Sequence, residues 1–289
     1  MLKNYVIMVN GLPGKMATLV ARGIAQGSSE KIDLCDYALT GPNMPSEIRF
    51  ATSIVQLIPK KSHEQFLSEY LGNLQKSERL IAVDFVKGED QANRNAGLYF
   101  MNGIPFVMGS TGADYDIIDA AARSVKIPCV AFPNMDMRIV AWMFGISQMA
   151  EKCPGAFEGA SFDLIETHQA DKGEETSGTM KDMLKYLSRL SKRELTLADI
   201  KRIRDPDIQT RLFGVPDQWL GWHAYHVIKV FDAEERDGTR NREDLIFKRH
   251  GGESYRQGTM KALDFLIQVL ERDGEAKRYT MFDVFQGVK

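Results

Sequence analysis

The chain has 289 residues, 44% of them apolar, and its 37 lysines and arginines nearly balance 39 aspartates and glutamates for a formal charge of −2. Ample apolar content with little net charge excludes intrinsic disorder, and without a basic field a nucleic-acid binder relying on bulk electrostatics is excluded too. No apolar run reaches the roughly 18–20 uncharged residues of a spanning helix, so the expected partner is a small molecule, with no nucleic acid and no membrane. The three cysteines, Cys35, Cys129 and Cys153, are scattered and form no CxxC pair; neither a disulfide framework nor a metal site is expected. The first residues lack the basic start, long apolar stretch and cleavage site of a signal peptide. The expected location is the cytoplasm, or the plastid stroma if this is the mature chain of a plant protein.

In chain order, β-rich runs fall at Tyr5–Val9, Lys31–Tyr37, Ile54–Ile58, Leu80–Phe85, Pro105–Met108 and Cys129–Phe132. Amphipathic stretches separate them, with stripes at Leu67, Tyr70, Leu71 and Leu74 and at Ile117, Ile118, Ala121 and Val125. Such alternation is the pattern of βαβ units around a parallel sheet. After Phe132 the rhythm changes. A long apolar helix is expected over Met137–Cys153, with Trp142 and the neighbouring methionines in the core. A strand over Ser161–Thr167, a helix from Thr179 to about Leu190 and an aperiodic polar connection around Ser191–Asp217 follow. Two β-like runs, Trp222–Phe231 and Asp244–His250, flank a hydrophilic tip, and a closing helix covers about Gly258–Arg272. The fold class is α/β: a Rossmann-type parallel-sheet dinucleotide-binding domain plus an α+β domain for substrate binding and oligomerisation. The expected boundaries are 1–133 with 258–289 for the first and 134–257 for the second.

Directly after the first strand, Gly11-Leu12-Pro13-Gly14-Lys15-Met16 leads into a helix. Strand, glycine turn and helix start occur in the order that lets backbone N–H groups meet a pyrophosphate. Met16 stands where a P-loop needs Ser or Thr. Asp36, at the end of the second run, is a candidate reader of a ribose 2′-hydroxyl; NADH and NADPH both stay open. A second loop, Gly109-Ser110-Thr111-Gly112, follows the fifth run and permits close approach of a planar ring. The segment Glu166–Thr179 supplies His168 for proton transfer, Lys172 as a cation, and Ser177, Gly178 and Thr179 at a helix start suited to a carboxylate; Thr179 with Asp182 approximates a capping box.

Together these three segments resemble dihydrodipicolinate reductase, most closely its plant-type branch. The shared motifs are G-x-x-G-[RK]-M at Gly11–Met16, G-[TS]-T-G at Gly109–Gly112 and E-x-H-[HQ]-x-x-K…S-G-T at Glu166–Thr179. Ile203-Arg204-Asp205-Pro206, Gly214-Val215-Pro216 and Gly221–His226 extend the likeness along nearly the whole chain. The resemblance implies NADPH or NADH bound by Gly11, Leu12, Pro13, Gly14, Lys15 and Met16, with Gly109, Ser110, Thr111, Phe132, Pro133, Asn134 and Met135 around the nicotinamide. It implies His168 as general acid, Lys172 acting with it, and a dicarboxylate held by Gln169, Ser177, Gly178 and Thr179. The implied reaction reduces a cyclic imine dicarboxylate to tetrahydrodipicolinate in lysine and diaminopimelate biosynthesis, within a homo-oligomer, tetramer or dimer.

One departure bears on substrate. Where plant-type members carry Cys-Gly-Arg-Ser, this chain has Gly251-Gly252-Glu253-Ser254, so the arginine that would meet a carboxylate is replaced by Glu253, unless Arg256 or Arg249 reaches inward. A different imine or enamine carboxylate as substrate, or an inactive dinucleotide-binding homologue, are the alternatives. His63 is expected on the surface and His250 in a turn; His223 and His226, three apart on one strand, are expected on opposite faces.

Overall fold

The computed structural model describes residues 4–27, 31–50, 53–110, 112–173, 175–232 and 240–287. Two compact units divide the chain, residues 1–140 with 253–289, and residues 141–252.

The first unit opens with β1 (Asn4–Asn10), whose Tyr5–Val9 are all buried, and α1 (Lys15–Gln26), whose Ala17, Val20, Ala21 and Ile24 form one buried stripe. Then come β2 (Ile32–Leu34), β3 (Tyr37–Thr40), β4 (Glu47–Arg49), β5 (Ile54–Pro59), α2 (His63–Asn73), β6 (Glu78–Asp84), α3 (Glu89–Met101), β7 (Phe106–Met108), α4 (Tyr115–Val125) and β8 (Cys129–Ala131). Six strands make a parallel sheet: β2, β1, β6, β7, β8 and finally a strand contributed from the chain's end, Arg278–Tyr279. Chain order reverses between β1 and β6, and ligands bind such sheets outside the carboxyl ends of the strands at that reversal.

The expected strand at Lys31–Tyr37 is two strands. Cys35 N–H still bonds Ile7, but the Asp36 carbonyl accepts from Gln56, and the chain crosses into a small separate sheet ordered β3-β5-β4. The strand at Ile54–Ile58 therefore belongs to that sheet and not to the parallel one. In α4 only Ile118 of the expected stripe is fully buried, whereas Ile117 is 65% exposed.

The chain continues through α5 (Met137–Lys152), β9 (Ser161–His168), α6 (Gly178–Ser191), β10 (Ile200–Ile203), α7 (Pro206–Phe213), β11 (His223–Phe231) and β12 (Arg242–His250). In α5 the buried residues recur on one helical face as Ile139, Val140, Met143, Ile146 and Ala150, so Trp142, expected in the core, is 57% exposed. The second unit's sheet is ordered β10-β9-β11-β12, with β10 parallel to β9 and the rest antiparallel. Asp205 N-caps α7 through Asp207 and Ile208 N–H, with Pro206 at its first turn, a start signal inside the connection read as aperiodic.

The chain closes with α8 (Glu253–Glu271), β13 (Arg278–Tyr279) and α9 (Met281–Gln286). Helix α8 starts five residues before the expected Gly258 and packs on α1, β7 and β8. At Gly258 a Cβ would stand 1.6 Å from the Met135 carbonyl oxygen, so only glycine lets the helix pass that loop.

Candidate active site

At the carboxyl ends of β1 and β6 lies a cavity of about 470 Å³. Gly11, Leu12, Pro13 and Gly14 line it; Gly11 has φ +94°, and a Cβ there would press within 3.0 Å of the Phe85 carbonyl. Thr40–Pro42, Met44, His63, Phe85, Val86, Lys87, Gln91 and Asn95 complete the wall apart from Leu39. Lys15 and Met16 open α1 and do not line this cavity. Asp36 does not line it either. The chain reaches the glycine loop through β3 instead: Gly11 N–H bonds Leu39, and the Thr40 hydroxyl donates to the Leu12 carbonyl at 2.5 Å. Among the described residues no carboxylate lines the cavity, and Lys87 is a cation on its wall.

His63, expected on the surface, is 1% exposed, its Nε2 between the Thr40 and Ile58 carbonyls at 3.2 and 3.0 Å. It caps the strand ends of the small sheet, a tertiary role that its local sequence did not signal.

A buried network ties the loops together. Asp84, at the end of β6, accepts from Tyr99 Oη (2.5 Å), Asn95 Nδ2 (2.8 Å), Ser110 Oγ (2.8 Å) and Val86 N–H (3.0 Å). Asn10 donates to Tyr99 and accepts from Leu39 N–H. The Ser110 hydroxyl is thus spent on scaffolding. Gly109 lies so near Phe85 that a Cβ would come within 2.4 Å of its ring; Thr111 lies outside the described residues. After β8, Phe132 packs on Phe282, Asn134 accepts from Asp136 N–H, and buried Met135 abuts Gly258, with half-buried Pro133 between.

In the second unit β9 and β11 pair Glu166 with His226 and His168 with Ala224. Directly opposite residues share a sheet face, so Glu166, His168 and His226 meet on one face, all buried. The His168 and His226 rings lie edge to face at 5.4 Å, and each Nε2 is 3.8 Å from Glu166 Oε2. His223 lies on the other face against Thr167 Oγ1 and the Trp219 carbonyl.

Proton counting fixes the tautomer of His226. The single Ser177 hydroxyl proton goes to Glu166 Oε2 at 2.5 Å, so the 2.9 Å contact between His226 Nε2 and Ser177 Oγ needs Nε2–H as donor. Ser177 N–H also donates to Glu166, and Ser177 Oγ caps α6 through Met180 N–H. The N-cap is therefore Ser177, and Thr179 sits inside the helix instead of opening a capping box. With its amide and hydroxyl engaged, Ser177 acts on the site through Glu166, leaving the Gly178 and Thr179 end of α6 beside it.

Arg204 completes the clamp. Its Nη2 meets Glu166 Oε1 at 2.9 Å, and its other donors hold the carbonyls of Gly173, Glu175 and Glu166. Gln209 Nε2 holds the His168 carbonyl at 2.6 Å. The loop carrying Gln169 and half-buried Lys172 is thus pinned from α7 and the residue after β10. Glu166, His168 and His226 carry donor atoms close enough to hold a cation. Both Glu166 oxygens are already bonded to Ser177 and Arg204, however, and the Lys172 and Arg204 charges repel a metal, so the trio suits proton chemistry better.

Burial, reinforced by His226, Lys172 and Arg204, holds the His168 pKa well below 6.5. Its Nε2 is buried without a hydrogen-bond partner. Burial drops His226 to about 4, against an opposing pull from Glu166; burial likewise lowers His63, His223 and His250. Below pH 6.5 the unfolded chain takes up protons that the folded chain refuses, so stability is complete above 6.5 and is lost as pH falls toward 4. His226 alone contributes about 3 kcal/mol to that loss. Urea denaturation at pH 7 and pH 4.5 reads it: a pH-independent free energy contradicts the assignment, and His226→Gln should flatten the slope.

Glu253 is exposed and forked to Arg256, with Gln257 as a further donor. That pairing holds its carboxyl low, Arg256 being the main cause, and neutralises the charge locally. Arg256 is committed there and lies along Gly23 of α1.

No family model matches the chain. It is 30% identical over 280 residues to 4-hydroxy-tetrahydrodipicolinate reductase 1, chloroplastic, of Arabidopsis thaliana, covering 97% of this chain and 77% of that one. It is 28% identical over 283 residues to the probable chloroplastic reductase 1 of Oryza sativa subsp. japonica, covering 98% and 79%. In fold it is similar to dipicolinate-bound dihydrodipicolinate reductase from Paenisporosarcina sp. TG-14, with TM-score 0.58, 17% identity and coverage of 97% and 98%. The likeness to the Arabidopsis enzyme, which runs over 97% of this chain, places the chain in the 4-hydroxy-tetrahydrodipicolinate reductase family.

Proposed function

We propose that the protein reduces the cyclic imine dicarboxylate derived from 4-hydroxy-tetrahydrodipicolinate to tetrahydrodipicolinate, with NADPH or NADH as hydride donor. The observation that carries this reading is His168: a buried imidazole with an unpartnered Nε2, beside Lys172 and Arg204, in the motif the family shares. The first unit fits the cofactor, since its glycine turn, helix start and cavity stand at the sheet's reversal point. Bound there, the reduced nicotinamide supplies the hydride. The chain's own residues supply charge and the proton.

Lys172 and the amide end of α6 at Gly178 and Thr179 bind a carboxylate, with Gln169 alongside. Burial, with the Lys172 and Arg204 charges behind it, suppresses His168 protonation; the incoming negative charge works against both, so the imidazole takes up a proton as the dianion binds and delivers it to the ring as hydride arrives. Calorimetry of dicarboxylate binding in buffers of different ionisation enthalpy reads that uptake; a heat independent of buffer contradicts it. Glu253, the reason to consider another substrate, is ion-paired with Arg256. Steady-state NADPH oxidation with enzymatically generated substrate tests the whole reading, and no turnover would sink it. A reducing compartment, cytoplasm or plastid stroma, suits the free thiols Cys35, Cys129 and Cys153, and a homo-oligomer is the assembly proposed from the resemblance.

A further inference from the structure

Asp84 is a buried ionisable group that the proton chemistry at His168 does not use. Its side chain has no exposure to solvent, and a buried carboxylate is ordinarily paired with a cation. Among the described residues no lysine or arginine is bonded to it. Its partners are the Tyr99 and Ser110 hydroxyls, the Asn95 amide and the Val86 N–H. All four donate, so the negative charge is held by hydrogen bonds and is not cancelled by an opposite one. Burial and the Asp84 charge push the Tyr99 phenol well above its usual pKa, which keeps it a donor. Lys87, the nearest cation in sequence, is exposed on the cavity wall.

We propose that Asp84 is a fixed countercharge for the oxidised cofactor, its carboxylate stabilising the positive charge that develops on the nicotinamide ring as hydride leaves. The proposal rests on the reductase reading. Position in the sheet carries it: Asp84 ends β6, between β1 with its glycine turn and β7 with the Gly109–Ser110 loop. The Asp84 carbonyl accepts from Gly109 N–H at 3.0 Å, and its Oδ1 accepts from Ser110 Oγ at 2.8 Å. The charge thus lies one hydrogen bond behind the loop that is open to a planar ring. Asn10, directly ahead of Gly11, donates to Tyr99 Oη at 2.7 Å, so the glycine turn, the carboxylate and the second loop are held as one network without a ligand. Hydride transfer turns a neutral ring into a cation. A carboxylate that is already desolvated and oriented favours that change without rearranging. Asp84 touches no reacting atom; it is a positioning residue that acts through its field and through Ser110.

The test is fluorescence titration of NADPH, with NADP⁺ measured by competition, for wild type, Asp84→Asn and Tyr99→Phe. Asparagine removes the charge and keeps the shape, and melting temperatures check that the variants are folded. The expected result for Asp84→Asn is a loss of NADP⁺ affinity about tenfold greater than its loss of NADPH affinity, the size of a unit charge acting through a partly screened interior. Tyr99→Phe disturbs the network and keeps the charge, so the ratio of the two affinities should stay within about twofold of wild type. A ratio shifted by less than about threefold in folded Asp84→Asn, or shifted equally in both variants, overturns the proposal alone. Should Asp84→Asn not fold, the wild type decides: NADP⁺ bound at least as tightly as NADPH is the expected result, and NADPH bound more tightly overturns the proposal. A wild type that binds neither cofactor overturns the reductase reading with it.

Discussion

Replacing His168 with glutamine should lower kcat by about 10²–10⁴-fold, the usual contribution of a positioned general acid, while NADPH affinity stays within about twofold. The separation follows from the fold. His168 ends β9 in the second unit, and the glycine loop, the Asp84 network and the 470 Å³ cavity all belong to the first. Glutamine keeps a hydrogen-bonding side chain of similar size but carries no titratable proton. Turnover should therefore fall without a matching rise in KM, the signature of an interaction made in the transition state. Steady-state kinetics with fluorescence titration of NADPH check this, and equal losses in kcat and cofactor affinity would contradict the role.

The largest effect on stability should come from Arg204→Ala. Glu166 is fully buried and Arg204 nearly so; removing the guanidinium leaves an uncompensated carboxylate in the interior and strips donors from the backbone carbonyls of Gly173, Glu175, Glu166 and Ile203. Breaking a buried pair from one side costs about 3–5 kcal/mol, a fall in Tm of about 10 °C for a chain of this size. Arg204→Lys should recover only part, since one ammonium cannot replace the fork. Thermal unfolding measures both, and an Arg204→Ala variant melting within about 2 °C of wild type would contradict a stabilising role for the Arg204–Glu166 pair.

The motif-bearing loops were legible in the sequence because their chemistry is local. Gly11–Gly14 had to be a strand-to-helix turn, and the Glu166–Thr179 segment carried its ionisable groups within fourteen residues. What escaped were features set by pairing at long range. His226 reads as one of two histidines on a strand, and only the β9–β11 register brings it against Glu166. Arg204 and Gln209 hold the histidine loop from about forty residues away, and His63 is buried by strands it does not belong to. Asp36 reads as a ribose candidate only if the second strand is continuous; the switch into the β3-β5-β4 sheet puts Thr40–Pro42, and not Asp36, on the cavity wall. Ser177 was visible as a cap, but its occupation by Glu166 was not.

The central claim is that the chain transfers a hydride to a cyclic imine dicarboxylate and adds a proton to it. Incubation of wild type with [4,4-²H₂]NADPH and enzymatically generated 4-hydroxy-tetrahydrodipicolinate, followed by mass spectrometry of the product, tests it most directly. The account predicts tetrahydrodipicolinate one mass unit heavier than the product made with unlabelled NADPH, formed in step with NADPH loss and suppressed in His168→Gln. Substrate recovered unchanged, or NADPH consumed without deuterium entering the ring, would contradict it.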